Sequence, residues 1–210
     1  MMIVFTGVLQ NPNDKALFEV KEIYEDNFPE SERRPFDEIS EQLKDGSYTL
    51  LVARENDDSG KIVGMALITK LAQADVAFLE YIAVGKQYQN EGIGSQLFPA
   101  ILQHLRGKLP ALVWEVELPT PDDTAMENRR IRWYQRLGST FLEDGGVYQM
   151  PNFEDENAPG VPLRLMIAFA DGQPSEDFSK ERIEQIIRDI YAIAYPEHLY
   201  LLDSILLGLK

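Results

Sequence analysis

No cysteine occurs among the 210 residues. Disulfides, thiolate nucleophiles and cysteine metal sites are therefore excluded, and the chain fits a cytoplasmic setting. Histidine is nearly as scarce, with only His104 and His198, far apart in the sequence. Such a pair does not make an imidazole metal site, which needs several ligands in defined geometry. No metal is expected, and no Ser-His-Asp arrangement can be drawn. No apolar run approaches the ~20 residues of a membrane-spanning helix. Positive charge is the next shortage: Lys and Arg total 20 against 35 Asp and Glu, a net charge of −15. That field repels nucleic acid phosphates, whose recognition normally needs a basic patch. Neither nucleic acid nor membrane is an expected partner. A cationic amine would be steered inward, although solubility alone is the plainer meaning of the charge.

What is present is ordinary for a soluble globular protein, with 44% apolar and 26% charged residues. The length suits one domain with an appendage, and it suffices for a core without covalent staples. Met1-Met2-Ile3-Val4-Phe5 lacks a basic leader and a small-residue cleavage site, so it is expected to be a first strand rather than a signal peptide.

Periodicity then predicts alternating helices and strands. Leu17, Val20, Ile23 and Tyr24 follow helical spacing, with Asn13 or Asp14 as cap. Phe36, Ile39 and Leu43 mark a second helix ended by Asp45-Gly46. Residues 48–54 and 62–71 read as strands joined in a hairpin by Asp57-Asp58-Ser59-Gly60. A strand over 76–84 is followed by a helix over 92–106, into which Pro99 should put a kink. Residues 112–118 alternate as a strand, with Trp114 and Val116 on one side and Val113, Glu115 and Glu117 on the other. A helix over 127–137 stops at Gly138. Strands near 140–144 and 162–170 flank an acidic, proline-bearing stretch, 150–160, expected as an exposed loop. Ser179 should cap a last long helix with an apolar stripe of Ile183, Ile186, Ile187, Ile190 and Tyr191. The apolar tail over 199–209 is expected to dock on the domain, with a homodimer contact as the alternative.

The chemistry concentrates in Leu79 to Leu97. An apolar strand runs into a short loop, then Gly92 and Gly94, then a helix. A helix N-terminus presents N–H groups and partial positive charge, and so binds phosphate. Glycines let those groups approach oxygen without Cβ interference. A nucleotide P-loop does not fit, because no Gly-Lys-Ser/Thr follows, and the dinucleotide fingerprint lacks its third glycine.

Gln89-x-x-Gly92-x-Gly94, about five residues after Ile82-Ala83-Val84, resembles the acetyl-CoA motif Q/R-x-x-G-x-G/A of the GNAT N-acetyltransferase superfamily. The resemblance implies that acetyl-CoA is the cosubstrate. It implies that Gln89 opens a loop in which backbone N–H groups of Asn90, Glu91, Gly92, Ile93, Gly94 and Ser95 hold the pyrophosphate. It also implies that Ile82, Ala83 and Val84 pair with the pantetheine arm like an added strand. Glu127 to Gly138 resembles the second block of the family, and Tyr134 matches the tyrosine that many members use as general acid. Two departures stand out: the family's Asn place holds Glu127, with Asn128 one residue late, and Ser139-Thr140 replace the Phe that follows the glycine. Arg129, Arg130 and Arg132 are either a solvated face or contacts to a CoA phosphate.

Amine attack on a thioester needs a base, and a buried carboxylate of raised pKa can serve. Glu115 ranks first, at the place where some members carry their base, followed by Glu80 and Glu117. In the family the first two helices and their connection wall the acceptor site. Here that connection runs from Asn27 to Phe36, where Phe28 and Phe36 would be apolar anchors and Glu30 and Glu32 would hold a cation. The implied fold is α/β (α+β): a mixed, mostly antiparallel twisted sheet flanked by helices, with two central strands splayed. The transferase domain is expected over residues 1–172 and a C-terminal helical extension over 173–210. A donor longer than acetyl, and a module that holds acyl-CoA without turnover, are the alternatives.

Overall fold

The structure, a computed structural model, describes residues 4–57, 59–142, 148–151, 160–172, 178–203 and 206. The chain is a mixed α/β protein; among the described residues eight strands form a mostly antiparallel sheet flanked by helices. Its contacts group it into two compact units, Met1–Lys70 with Leu79–His104, and Leu71–Phe78 with Leu105–Lys210.

The first unit holds β1 (Val4–Val8), α1 (Asp14–Asn27), α2 (Phe36–Asp45), β2 (Tyr48–Glu55), nearly all of β3 (Ile62–Leu71), the later part of β4 (Val76–Val84) and nearly all of α3 (Gly94–Leu105). Its strands run in the order β1-β2-β3-β4. The β2–β3 hairpin is antiparallel from Tyr48–Thr69 to Arg54–Ile62, with a bulge between Ala53 and Arg54. Every residue of β3 except Lys70 is buried. That is why it reads as an unbroken apolar run rather than an alternating one. Asn13 caps α1, its side chain accepting the Ala16 N–H at 2.9 Å. Gly46, at φ +82°, ends α2 in the left-handed conformation that a Cβ would penalise. Pro99 sits inside α3 on an exposed position, and the helix continues through it to Leu105.

The second unit holds the start of β4, β5 (Ala111–Glu117), α4 (Met126–Arg136), β6 (Thr140–Phe141), β7 (Tyr148–Met150), β8 (Val161–Phe169), α5 (Lys180–Ala194) and a 3₁₀ segment, Pro196–Leu201. Here the order is β4-β5-β8-β6, with β7 also on β8. The β4–β5 ladder is parallel and consists of Ala77–Leu112 and Phe78–Val113. By contrast, β5 and β8 are antiparallel over seven pairs, Ala111–Phe169 to Glu117–Leu163. The expected exposed loop over 150–160 is corrected at its start: Met150 ends β7 and Pro151 is buried, because β7 pairs with β8 at Met150–Val161. Residues 152–159, and 143–144 of the expected strand, lie outside the described residues.

Ser179 caps α5, accepting the Arg182 N–H. The stripe Ile183, Ile186, Ile187, Ile190 and Tyr191 is buried against Val76, Phe78, Val113, Leu165 and Ile167. Asp189 on the same helix is also buried, and its carboxylate accepts the N–H groups of Gln73 at 2.9 Å and Ala74 at 3.0 Å. Leu202 joins this core, with Leu201 and Leu206 packed against it. Ile187→Ala would remove a fully buried side chain from the cluster. We expect it to destabilise the chain by about 2–5 kcal/mol, read as a lower urea midpoint at unchanged slope. Among the described residues no helix is long and apolar enough to cross a membrane.

Candidate active site

In the first unit β4 ends at Val84, and the Gly85 N–H donates to Val63 O at 2.9 Å. A 3₁₀ turn over Lys86–Tyr88 leads to Gln89, whose amide donates to Asn27 Oδ1 at 3.0 Å and Val84 O at 3.4 Å. Asn90 and Gly92 then adopt left-handed backbone, φ +67° and +79°. Buried Ile93 anchors the turn among Val4, Ala53 and Val63. Its carbonyl accepts the N–H groups of Gln96 and Leu97, the third and fourth residues of α3, both at 2.9 Å. Left-handed residues in a turn direct successive N–H groups into a concavity, and the helix that opens at Gly94 adds its own first amides and dipole. Such a loop can hold a doubly charged phosphate ester through backbone alone. The residues Gln89 to Ser95, read as cofactor-binding, all lie in it.

The same unit holds a buried polar network that crosses from the α1–α2 connection to β4. Glu80 accepts from Arg34 Nε at 2.9 Å and Arg34 Nη2 at 3.3 Å, and the Tyr48 hydroxyl donates to the same carboxylate. Arg34 Nη2 also reaches Gln42 Oε1 at 3.0 Å and the Tyr48 oxygen at 3.2 Å. Burial pushes the Glu80 carboxyl up, while the guanidinium and the Tyr48 hydroxyl oppose it. Burial works to lower Arg34, but Glu80 together with Tyr48 and Tyr81 holds it above its ordinary value. Burial pushes Tyr24 up to about 12. Around this network Tyr24, Phe28 and Tyr81 form an aromatic group, with Phe28–Tyr81 centroids 4.9 Å apart and Tyr24–Tyr81 4.8 Å. Phe28 is half-buried and Phe36 buried, while Glu30 and Glu32 are exposed. Among the proposed residues of this unit, the fold thus gathers Glu80 and Phe28 around Tyr81, whose hydroxyl reaches Glu32 O at 3.5 Å.

In the second unit Tyr134 is buried on α4, its ring 4.8 Å from Trp114 and 4.7 Å from Trp133. Burial pushes its phenol up, Arg130 pulls it down and Glu117 adds to the rise, so Tyr134 keeps its proton at working pH. Glu117 pairs with Arg130 at 2.6 Å. Glu115 turns toward the C-terminal segment, where the Tyr195 hydroxyl lies 2.8 and 3.0 Å from its two oxygens. The fold therefore associates Tyr134 with Glu117 through Arg130, and Glu115 with Tyr195. Asn128 is buried and occupied with loop carbonyls, donating to Thr120 O and Asp122 O at 2.7 Å. Among the arginines of α4, half-buried Arg132 meets Asp123. His104 is half-buried. No group of three His, Cys, Asp or Glu side chains converges as a metal site among the described residues.

Arg34, Gln42, Tyr48 and Tyr195 were not among the expected site residues. A signal for the first three existed: Glu80 interrupts the apolar strand Val76–Val84, and a buried carboxylate demands a cation and donors. Which of the arginines would supply it is not written in local pattern. Tyr195 lies 80 residues from Glu115, beyond any periodicity.

The sequence pattern described as "Acetyltransferase (GNAT) family" matches residues 17–139. No curated protein matches the chain. Among solved structures, the chain resembles a GNAT-family protein from Bacteroides thetaiotaomicron at TM-score 0.67 and 22% identity, over 91% of this chain and 98% of that one. It resembles the ribosomal-protein-S18-alanine N-acetyltransferase of Escherichia coli at TM-score 0.58 and 18% identity, over 80% and 94%. An aminoglycoside 6'-N-acetyltransferase complexed with coenzyme A is similar at TM-score 0.62 and 14% identity, over 82% and 99%.

Proposed function

Because the chain belongs to the acetyltransferase (GNAT) family, a class of transferases, we propose that it moves an acetyl group from acetyl-CoA directly to a primary amine. One observation carries this reading: left-handed Asn90 and Gly92 stand immediately before the α3 N-terminus, a backbone cradle for a pyrophosphate. Support comes from β4, whose ladder with β5 stops at Phe78 and so does not occupy the backbone of Ile82, Ala83 and Val84. Those residues are assigned to the pantetheine arm, and Gln89 to Ser95 to the pyrophosphate.

The amine nitrogen attacks the thioester carbon, a carboxylate takes the proton it sheds, the C–S bond breaks, and Tyr134 protonates the departing thiolate. No covalent enzyme intermediate is needed, in keeping with a chain that has no cysteine. Glu115 remains the first choice of base, since its partner is a neutral phenol, whereas a guanidinium already meets the charge of Glu80 and of Glu117. Phe28 and Glu32 are assigned to the acceptor, which the net charge of −15 favours as a cation. The reading places the protein in the cytoplasm, with the transferase domain over 1–172 and the helical extension over 173–210.

A second reading has its own observation. All three candidate carboxylates have partners, as they would in a module that binds acyl-CoA without turnover. Two measurements on the wild type separate the readings. Acetyl-CoA at about 100 times its Kd should add about 2.7 kcal/mol, which for a chain of this size is a rise in Tm of about 5–10 °C. CoA release with a panel of amines can be followed with a thiol reagent, because the protein contributes no thiol of its own. A thermal rise with CoA release supports the enzyme. A rise without release, for acetyl and longer acyl donors, supports the binding module. No rise defeats both.

A further inference from the structure

Arg34 is 8% exposed, although it stands in the connection between α1 and α2 where neighbouring Glu30 and Glu32 are exposed. Both its ends are held. The guanidinium forks onto Glu80, two residues before the segment assigned to pantetheine, and also binds Gln42 and Tyr48. Its backbone carbonyl accepts the Tyr24 hydroxyl at 3.0 Å, and its N–H lies 3.4 Å from the Tyr81 oxygen. The connection is thereby tied to β4 by the charged fork and by the Tyr81 hydroxyl, and to α1 by the Tyr24 hydroxyl, and both phenol rings also pack on Phe28. A buried ion pair is a poor way to gain stability, because well-packed apolar side chains do as well or better. What a fork with matched donors and acceptors supplies is a single geometry.

We infer that Arg34 is a positioning residue for the acceptor amine, fixing the segment Asn27–Pro35, with Phe28 and Glu32, in register with the acetyl-CoA strand through Glu80. The inference rests on the reading of function above and extends it to a residue outside the cofactor loop and the proton-transfer groups. Arg34 is among neither the residues assigned to acetyl-CoA nor those assigned to proton transfer. Its loss should loosen recognition of the amine and leave binding of acetyl-CoA at the Gln89–Ser95 loop intact.

The test compares wild type with Arg34→Met, Arg34→Lys and the double variant Arg34→Met/Glu80→Met, the last removing the latch without leaving a buried carboxylate unpaired. Amide hydrogen exchange is measured over residues 27–36 and over α3, together with acetyl-CoA affinity by calorimetry and steady-state kinetics with spermidine and n-butylamine as acceptors. We expect exchange over 27–36 to quicken at least about tenfold in the double variant while α3 is unchanged. In Arg34→Met, which keeps Glu80, KM for the amine should rise about tenfold or more with kcat within about threefold, acetyl-CoA affinity should hold, and Arg34→Lys should recover part of the KM because it keeps the charge without the fork; the double variant is read by exchange and acetyl-CoA affinity alone. Equal quickening everywhere, or an unchanged amine KM in a variant that turns over, overturns the inference and leaves Arg34 a purely structural residue. Should the wild type itself neither bind acetyl-CoA nor release CoA, the reading of function falls, while the exchange pattern still decides whether Arg34 latches the connection.

Discussion

Gly92→Val is expected to abolish the rise in Tm that acetyl-CoA should produce, while the variant remains folded. Gly92 holds φ +79° in the turn that leads into α3. A β-branched residue at positive φ is a conformational outlier, costing roughly 1–2 kcal/mol. That cost is small against the roughly 5–15 kcal/mol of a stable domain, so the chain folds. The turn itself responds by moving toward ordinary backbone, and the amides of Asn90 to Ser95 no longer converge. The ligand-induced increment of about 5–10 °C at saturation then falls to near zero. Gly107→Val is the control: Gly107 also has positive φ, +68°, and an added Cβ there meets nothing within 4 Å. It carries the same backbone penalty at a different turn and should keep the full increment. Equal increments in the two variants would remove the cradle from this loop.

Tyr134→Phe is expected to lower kcat by about 10²–10⁴-fold, the usual contribution of a positioned acid, and to leave KM for acetyl-CoA within about twofold. The substitution conserves the ring that packs on Trp114 and Trp133, so a loss of rate cannot be ascribed to a collapsed core. Because burial holds the phenol protonated, the wild-type rate should not fall at mildly alkaline pH through loss of this proton. Pre-steady-state release of CoA separates the step concerned: the variant should slow thiolate departure itself. A kcat within threefold of wild type would return Tyr134 to the status of a packed core aromatic.

Much of the fold was legible because its signals are local. The β3 and β4 limits, Ile62–Leu71 and Val76–Val84, follow from apolar runs closed by turn residues, and α5 from its stripe and the Ser179 cap. The strand–turn–helix of Leu79–Leu97 was legible for the same reason: strand, glycines and helix are contiguous in sequence. Partnerships of charge were not. Glu80 with Arg34 spans 46 residues, Glu115 with Tyr195 spans 80, and Glu117 with Arg130 spans 13. Each is decided by tertiary packing, which no periodicity encodes. Met150 shows the same limit, because its pairing with Val161 in β7–β8 outweighed the loop character of the acidic residues that follow.

The hydrogen bond from Tyr195 to Glu115 also sets a timetable for biosynthesis. At about 5–20 residues per second, a ribosome needs roughly 4–16 s to make the 80 residues that separate the two partners. Through that interval Val113, and later Ile167, stand bare of the α5 side chains that cover them in the finished protein. The nascent chain therefore passes through a stage in which its glycine loop is complete but a greasy sheet face awaits its last helix. That stage is the one at which a holdase chaperone would engage it, and at which a stalled or truncated message would yield an aggregating product.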